Sequence, residues 1–107
     1  MSEPVEVTDA TFAESVLAAD VPVLVDFWAP WCAPCRLVAP AVAELRSELA
    51  GRLVVVKLDI DANVATATEH EIFSIPTLVL FKGGREVDRY VGFRRKEELA
   101  ARLEPHL

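Results

Sequence analysis

The stretch Val21-Pro22-Val23-Leu24-Val25-Asp26-Phe27-Trp28, followed at once by Ala29-Pro30-Trp31-Cys32-Ala33-Pro34-Cys35-Arg36, settles the architecture of this chain. Its first half is almost continuously apolar, the mark of a strand covered on both faces. Its second half is a proline-punctuated turn, and Pro34 suits the first turn of a helix, where no amide donor is needed. That helix, over about 34–50, carries Leu37, Ala41, Leu45 and Leu49 four apart with Val38 and Val42 alongside, an apolar stripe on one face. Pro40 inside the pattern predicts a kink, and Gly51 suits the C-terminal stop. A second apolar run, Leu53–Leu58, completes a strand–helix–strand unit, and such a unit crosses over right-handed.

Similar patterns flank this unit. A short strand is read near Val5–Val7, and Thr11-Phe12-Ala13-Glu14 has the form of a capping box opening a helix over about 9–19. Beyond the unit come a weaker helix over about 63–71, a strand at Thr77–Phe81 and another at Val87–Val91. Lys82-Gly83-Gly84-Arg85 joins those two strands, and its glycine pair is an antiparallel hairpin signal. Leu99, Leu103 and Leu107 mark a last helix, preceded by Arg94, Arg95 and Lys96. The expected fold is α/β, a mixed five-stranded central sheet with four helices distributed over both faces. No linker, repeat or low-complexity segment divides the chain, so residues 1–107 are read as one domain.

Composition narrows the function. The hydrophobic fraction of 52% supplies a core without a structural metal or a disulfide scaffold. A net charge of −6 argues against binding a phosphate backbone, so no nucleic acid is expected as partner. No apolar run approaches the roughly 20 residues of a membrane span. The opening Met1-Ser2-Glu3-Pro4-Val5-Glu6 has neither the basic start nor the apolar run of a secretory signal, giving the expectation of a cytoplasmic protein.

In a reducing cytoplasm a disulfide is usually transient, and the two cysteines stand at the strand-to-helix junction, three positions apart. Side chains at i and i+3 share a helix face with Cβ atoms roughly 5–6 Å apart, so Cys32 and Cys35 can close a small ring and reopen it. Cys32 sits where free amide donors and the positive end of the helix dipole favour a thiolate, which makes it the nucleophile. Cys35, one turn inside, is the resolving thiol. Zinc needs about four ligands, and His70 and His106 are not at finger-like spacing from the pair, so no metal is expected. Exposed surface positions account for both histidines. Two buried structural cysteines or a static disulfide are the other readings, disfavoured by the junction and by the missing signal.

Asp26 and Lys57 each interrupt an apolar strand. Charges are rarely buried alone, and adjacent parallel strands would bring these two together. One reading is a buried ion pair or two side chains reaching the sheet edge. The other places Asp26, desolvated and with raised pKa, beneath the helix start, where it takes the proton from Cys35 directly or through water while Lys57 modulates it.

Phe27-Trp28-Ala29-Pro30-Trp31-Cys32-Ala33-Pro34-Cys35-Arg36 closely resembles the active-site segment of the thioredoxin family. The resemblance continues through Pro40, Lys57-Leu58-Asp59, Ile75-Pro76-Thr77, Phe81-Lys82-Gly83-Gly84 and Gly92, and so covers essentially the whole chain. It implies a mixed disulfide between Cys32 and a substrate protein, released by Cys35. It implies a cis peptide before Pro76, packed against the disulfide, and an apolar substrate-binding surface of Trp31, Ile75, Pro76, Val91 and Gly92. Trp28 is expected to pack the helix start onto the sheet. Two departures fall at the site. Ala33 stands where most members carry glycine, so that Ala33 and Pro34 together are expected to tune redox poise, and Arg36 stands where lysine is usual.

The function so implied is thiol–disulfide oxidoreductase, a protein-disulfide reductase and electron carrier that reduces disulfide-containing substrate proteins and is itself re-reduced by a thioredoxin reductase. No cofactor is expected, since no nucleotide-binding glycine pattern is present. A monomer is the simplest state. The alternatives are a disulfide oxidant or isomerase of the same fold, and a non-redox binding module using the surface around Trp31 and Pro76.

Overall fold

A computed structural model describes residues 4–107. Five strands form one sheet in the order β1-β3-β2-β4-β5, with β1 at Val5–Glu6, β2 at Val23–Trp28, β3 at Val54–Asp59, β4 at Thr77–Lys82 and β5 at Arg85–Val91. β1, β3 and β2 run parallel, while β4 and β5 are antiparallel to their neighbours. The mixed sheet is the expected one, and its centre is the quoted strand. The apolar run Val87–Val91 misses the start of β5, which begins at Arg85, because the hairpin hydrogen bonds extend past the apolar residues. Gly83 and Gly84 turn that hairpin with φ of 63° and 79°, the doubly positive pattern of the tightest two-residue connection.

The helices are α1 (Ala33–Glu48), α2 (Val64–Glu69) and α3 (Lys96–Leu103), with a π-helical turn at Ala13–Leu17 and a 3₁₀ turn at Glu104–His106. Two local expectations are corrected. The capping box does not form, because the Thr8 and Thr11 hydroxyls serve each other's backbone amides instead, at 2.9 and 3.2 Å. The turn that follows starts late and winds wide, Ala18 donating to Ala13 O. On α1 Val38, Val42 and Leu45 of the expected stripe are buried together with Cys35, but Leu37 is 68% exposed and Ala41 and Leu49 are only half-buried. Steps of four drift around a helix of 3.6 residues per turn, whereas alternating three and four hold one face. α1 runs on through Pro40 to Glu48.

Strand alternation sorts the core into two layers. Leu24, Val55, Leu78 and Leu80 meet Val38, Val42 and Leu45 of α1 and Leu99 and Leu103 of α3 on one face. Val23, Val25, Phe27, Val79 and Phe81 meet Phe12 and Val16 on the other. By the same alternation Asp26 and Lys57 project toward the α1 face, since Leu24 and Val55 do. Both histidines are half-buried rather than exposed. His70 packs between Phe12 and Phe81 at ring separations of 5.1 and 5.3 Å, and His106 Nε2 lies 3.7 Å from Asp88 Oδ2. The C-terminal end of α2 and the chain's last turn are each folded back onto the sheet, which the periodicity of isolated residues does not reveal.

Candidate active site

The carboxyl end of β2 delivers the chain into α1 at Cys32. Its backbone is extended, with φ −88° and ψ 105°, and its Sγ accepts the Cys35 amide at 3.2 Å, so that a sulfur fills the N-cap position usually held by oxygen. Cys32 and Cys35 are joined as a disulfide with Cα atoms 5.3 Å apart. Both are buried with Ala29 in a small apolar cluster against Trp28, Ile60 and Ile75. Ala33 and Pro34, the first two residues of α1, are exposed beside the bond. A helix N-terminus leaves amide donors free, and that of Cys35 faces Cys32 Sγ.

Asp26 and Lys57 are register partners on adjacent parallel strands, the arrangement that the crossover suggested. Asp26 is 5% exposed, and its Oδ1 meets no protein partner among the described residues. Burial pushes the carboxyl up to about 7, against a smaller downward pull from Lys57. Lys57 also sets its ammonium over the Trp28 ring, 4.9 Å from the centroid. A cleft of about 180 Å³, lined by Asp26, Trp28, Cys35, Arg36, Ala39 and Lys57, connects the carboxyl to the inner cysteine. It has room for bridging water, whose share of liquid volume is about 30 Å³.

The peptide between Ile75 and Pro76 is cis, and Pro76 is buried. Val91 is in register with Thr77, and the Gly92 amide donates to the Pro76 carbonyl at 2.8 Å, so these two segments lie side by side. Ile75 packs against the cysteine cluster, and Trp28 is half-buried there, holding the helix start to the sheet as expected. Trp31 stands outward, 65% exposed, its indole donating to Asp61 Oδ2 at 2.8 Å.

Asp61 is a contributor without a clear signal in the sequence, whereas Arg36, already singled out there, shows its contact only in the fold. Asp61 fixes Trp31, and only its place in the Asp59-Ile60-Asp61 run hinted at a role; its own amide is held by Asp59 Oδ1 at 2.9 Å. Arg36 folds its guanidinium back to the Pro30 carbonyl at 2.9 Å, bracing the turn before the cysteines. Among the described residues no three of His, Cys, Asp and Glu group as a metal site, and no helix is long and apolar enough to cross a membrane.

A family model described as Thioredoxin matches residues 3–105. Thioredoxin 1 of Nostoc sp. (strain PCC 7120) is 53% identical over 107 residues, covering 100% of each chain. The thioredoxin of Mycobacterium tuberculosis (strain H37Rv) is 51% identical over 102 residues, 95% of this chain and 88% of that one. A bifunctional thioredoxin reductase/thioredoxin of Mycobacterium leprae is 52% identical over 95 residues, 89% of this chain and 21% of its own.

Proposed function

The chain belongs to the thioredoxin family and is a thiol–disulfide oxidoreductase, and from that membership we propose that Cys32 attacks and Cys35 resolves. In the dithiol form the Cys32 thiolate attacks one sulfur of a substrate disulfide, and the other substrate sulfur leaves with the bonding pair and takes a proton. The Cys35 thiolate then attacks Cys32 Sγ, which frees the second substrate thiol and leaves the Cys32–Cys35 disulfide. Two electrons have passed to the substrate, and the state described above is the product. The observation that carries this reading is that disulfide, capping α1 above the Asp26 cleft.

Asp26, ionised, accepts the Cys35 proton across the cleft, and Lys57 shapes its affinity for that proton. Ala33 and Pro34 tune the relative stability of disulfide and dithiol, alanine favouring the helical turn more than glycine does. Trp31, Ile75, Pro76, Val91 and Gly92 receive the substrate segment. The folding unit is the whole chain, 1–107. A separate thioredoxin reductase returns the electrons; the M. leprae relative, whose name joins the two activities, supports that partnership. The working state is a monomer in the cytoplasm, a compartment reducing enough to keep the pair cycling.

Mass spectrometry of trapped intermediates tests the assignment. Cys35→Ser is expected to accumulate a covalent adduct with disulfide-bearing proteins, and Cys32→Ser none. Adducts forming equally on either variant would reject the division of roles.

A further inference from the structure

Of the five phenylalanines, Phe12, Phe27 and Phe81 lie in the core, whereas Phe73 is 89% and Phe93 51% exposed. Single exposed apolar residues are ordinary, so position carries the argument. Both rings sit on the two segments that meet at Pro76. Phe73 precedes it by three residues, and Phe93 directly follows Gly92, whose amide is bonded to the Pro76 carbonyl. Trp31, which adjoins Cys32, and Val91, in register with Thr77, are also exposed and are taken with the two rings as one rim.

Cys32 is only 3% exposed. A partner's sulfur therefore reaches it through a narrow opening, and on the substrate surface proposed above the partner's backbone lies along this rim. An extended chain advances about 3.3 Å per residue, so residues within about three positions of the partner's cysteine arrive at the outer rim, where the rings stand. Of the charges close to the rim, Arg94 is already paired with Glu98 at 2.6 Å, and the Asp61 carboxylate is held by the Trp31 indole. Apolar area is what the rim offers. We propose that Phe73 and Phe93 determine specificity, selecting extended protein segments that carry bulky apolar side chains within about three positions of the reacting cysteine. This rests on the exchange reaction and the substrate surface given above, and adds to them the class of segment preferred.

The test uses the reduced full-length protein and two peptides of equal length and charge, each with one cysteine held as a mixed disulfide with glutathione. One carries Leu and Phe around the cysteine, the other Ser. Tryptophan fluorescence in stopped flow reads the rates. The wild type is expected to consume the apolar peptide at least about 10-fold more efficiently, the difference lying in half-saturation rather than in the limiting rate. In Phe73→Ser/Phe93→Ser that ratio falls to within about twofold, while Phe73→Leu/Phe93→Leu keeps it. Thermal unfolding of each variant verifies folding. A ratio near one in the wild type, or one undiminished in the folded double serine variant, overturns the proposal and leaves the exchange reaction standing. If the wild type consumes neither peptide, the exchange reading itself fails and takes this inference with it.

Discussion

Asp26 carries the sharpest consequence of any single side chain. Its folded pKa of about 7 lies above the unfolded value of 3.8, so between those values the folded state holds a proton that the unfolded state has released. Stability associated with this carboxyl is fully present below 3.8 and is lost as pH rises through 7. The ionised, buried carboxylate then costs the fold on the order of 4 kcal/mol as an upper bound. Asp26→Asn is therefore expected to be more stable than the wild type at pH 8.5 by about 2–4 kcal/mol in urea unfolding, and to match it near pH 4. Its catalysis should move the other way. In the role proposed for it only the ionised carboxylate accepts the Cys35 proton, so resolution in the wild type should rise through pH 7, and the asparagine variant should lose that inflection and on the order of 10² in rate. A retained inflection would assign it to a thiol. The sequence exposed this residue because a charge inside an apolar strand is an anomaly. It could not expose Asp61, whose partner Trp31 lies thirty positions away and whose neighbourhood is polar anyway.

Among the elements, the β4–β5 hairpin shows how local chemistry and packing combine. Gly83 and Gly84 both hold positive φ, but a Cβ on Gly83 meets nothing within 4 Å, whereas one on Gly84 lies 3.0 Å from the Leu17 carbonyl oxygen. Gly83→Ala bears the left-handed strain alone, about 1 kcal/mol; Gly84→Ala adds a collision with backbone and should cost about 2 kcal/mol or more. Equal losses by chemical denaturation would mean that the π-helical turn yields freely. The glycine pair announced the turn in the sequence, but not the contact with Leu17, which is a tertiary event. The same distinction explains the other differences. The strand–helix–strand unit was legible because a doubly covered strand and a long amphipathic helix are strong signals. Thr11 does not open a capping box with Glu14 because hydroxyls bond to whichever amide lies nearest, and here Thr11 Oγ1 accepts the Thr8 amide while Thr8 Oγ1 accepts the Thr11 amide.

The assembled protein separates what holds it together from what reacts. Its stability resides in the two layers of side chains on either face of the sheet, where Leu99 and Leu103 of α3 are fully buried against α1 and the central strands. Lys96 on the same helix bridges Glu44 and Glu48 at 3.2 and 2.7 Å, but from the surface. Leu99→Ala should thus cost about 2–5 kcal/mol, and Lys96→Ala far less, since its ion pairs are exposed to solvent. The cysteine ring contributes on another footing. It closes a loop of sequence separation 3. Loop-closure entropy for so short a ring is about 2 kcal/mol, well below the core's share. Opening the bond therefore leaves both layers intact, and this is the condition for a protein that must pass between dithiol and disulfide at every turnover without unfolding. Cys32→Ser/Cys35→Ser is expected to unfold in a single cooperative transition about 2 kcal/mol less stable than the oxidised wild type, with no exchange activity. Loss of cooperativity in that variant would mean that the disulfide, and not the sheet with its two layers, organises the fold.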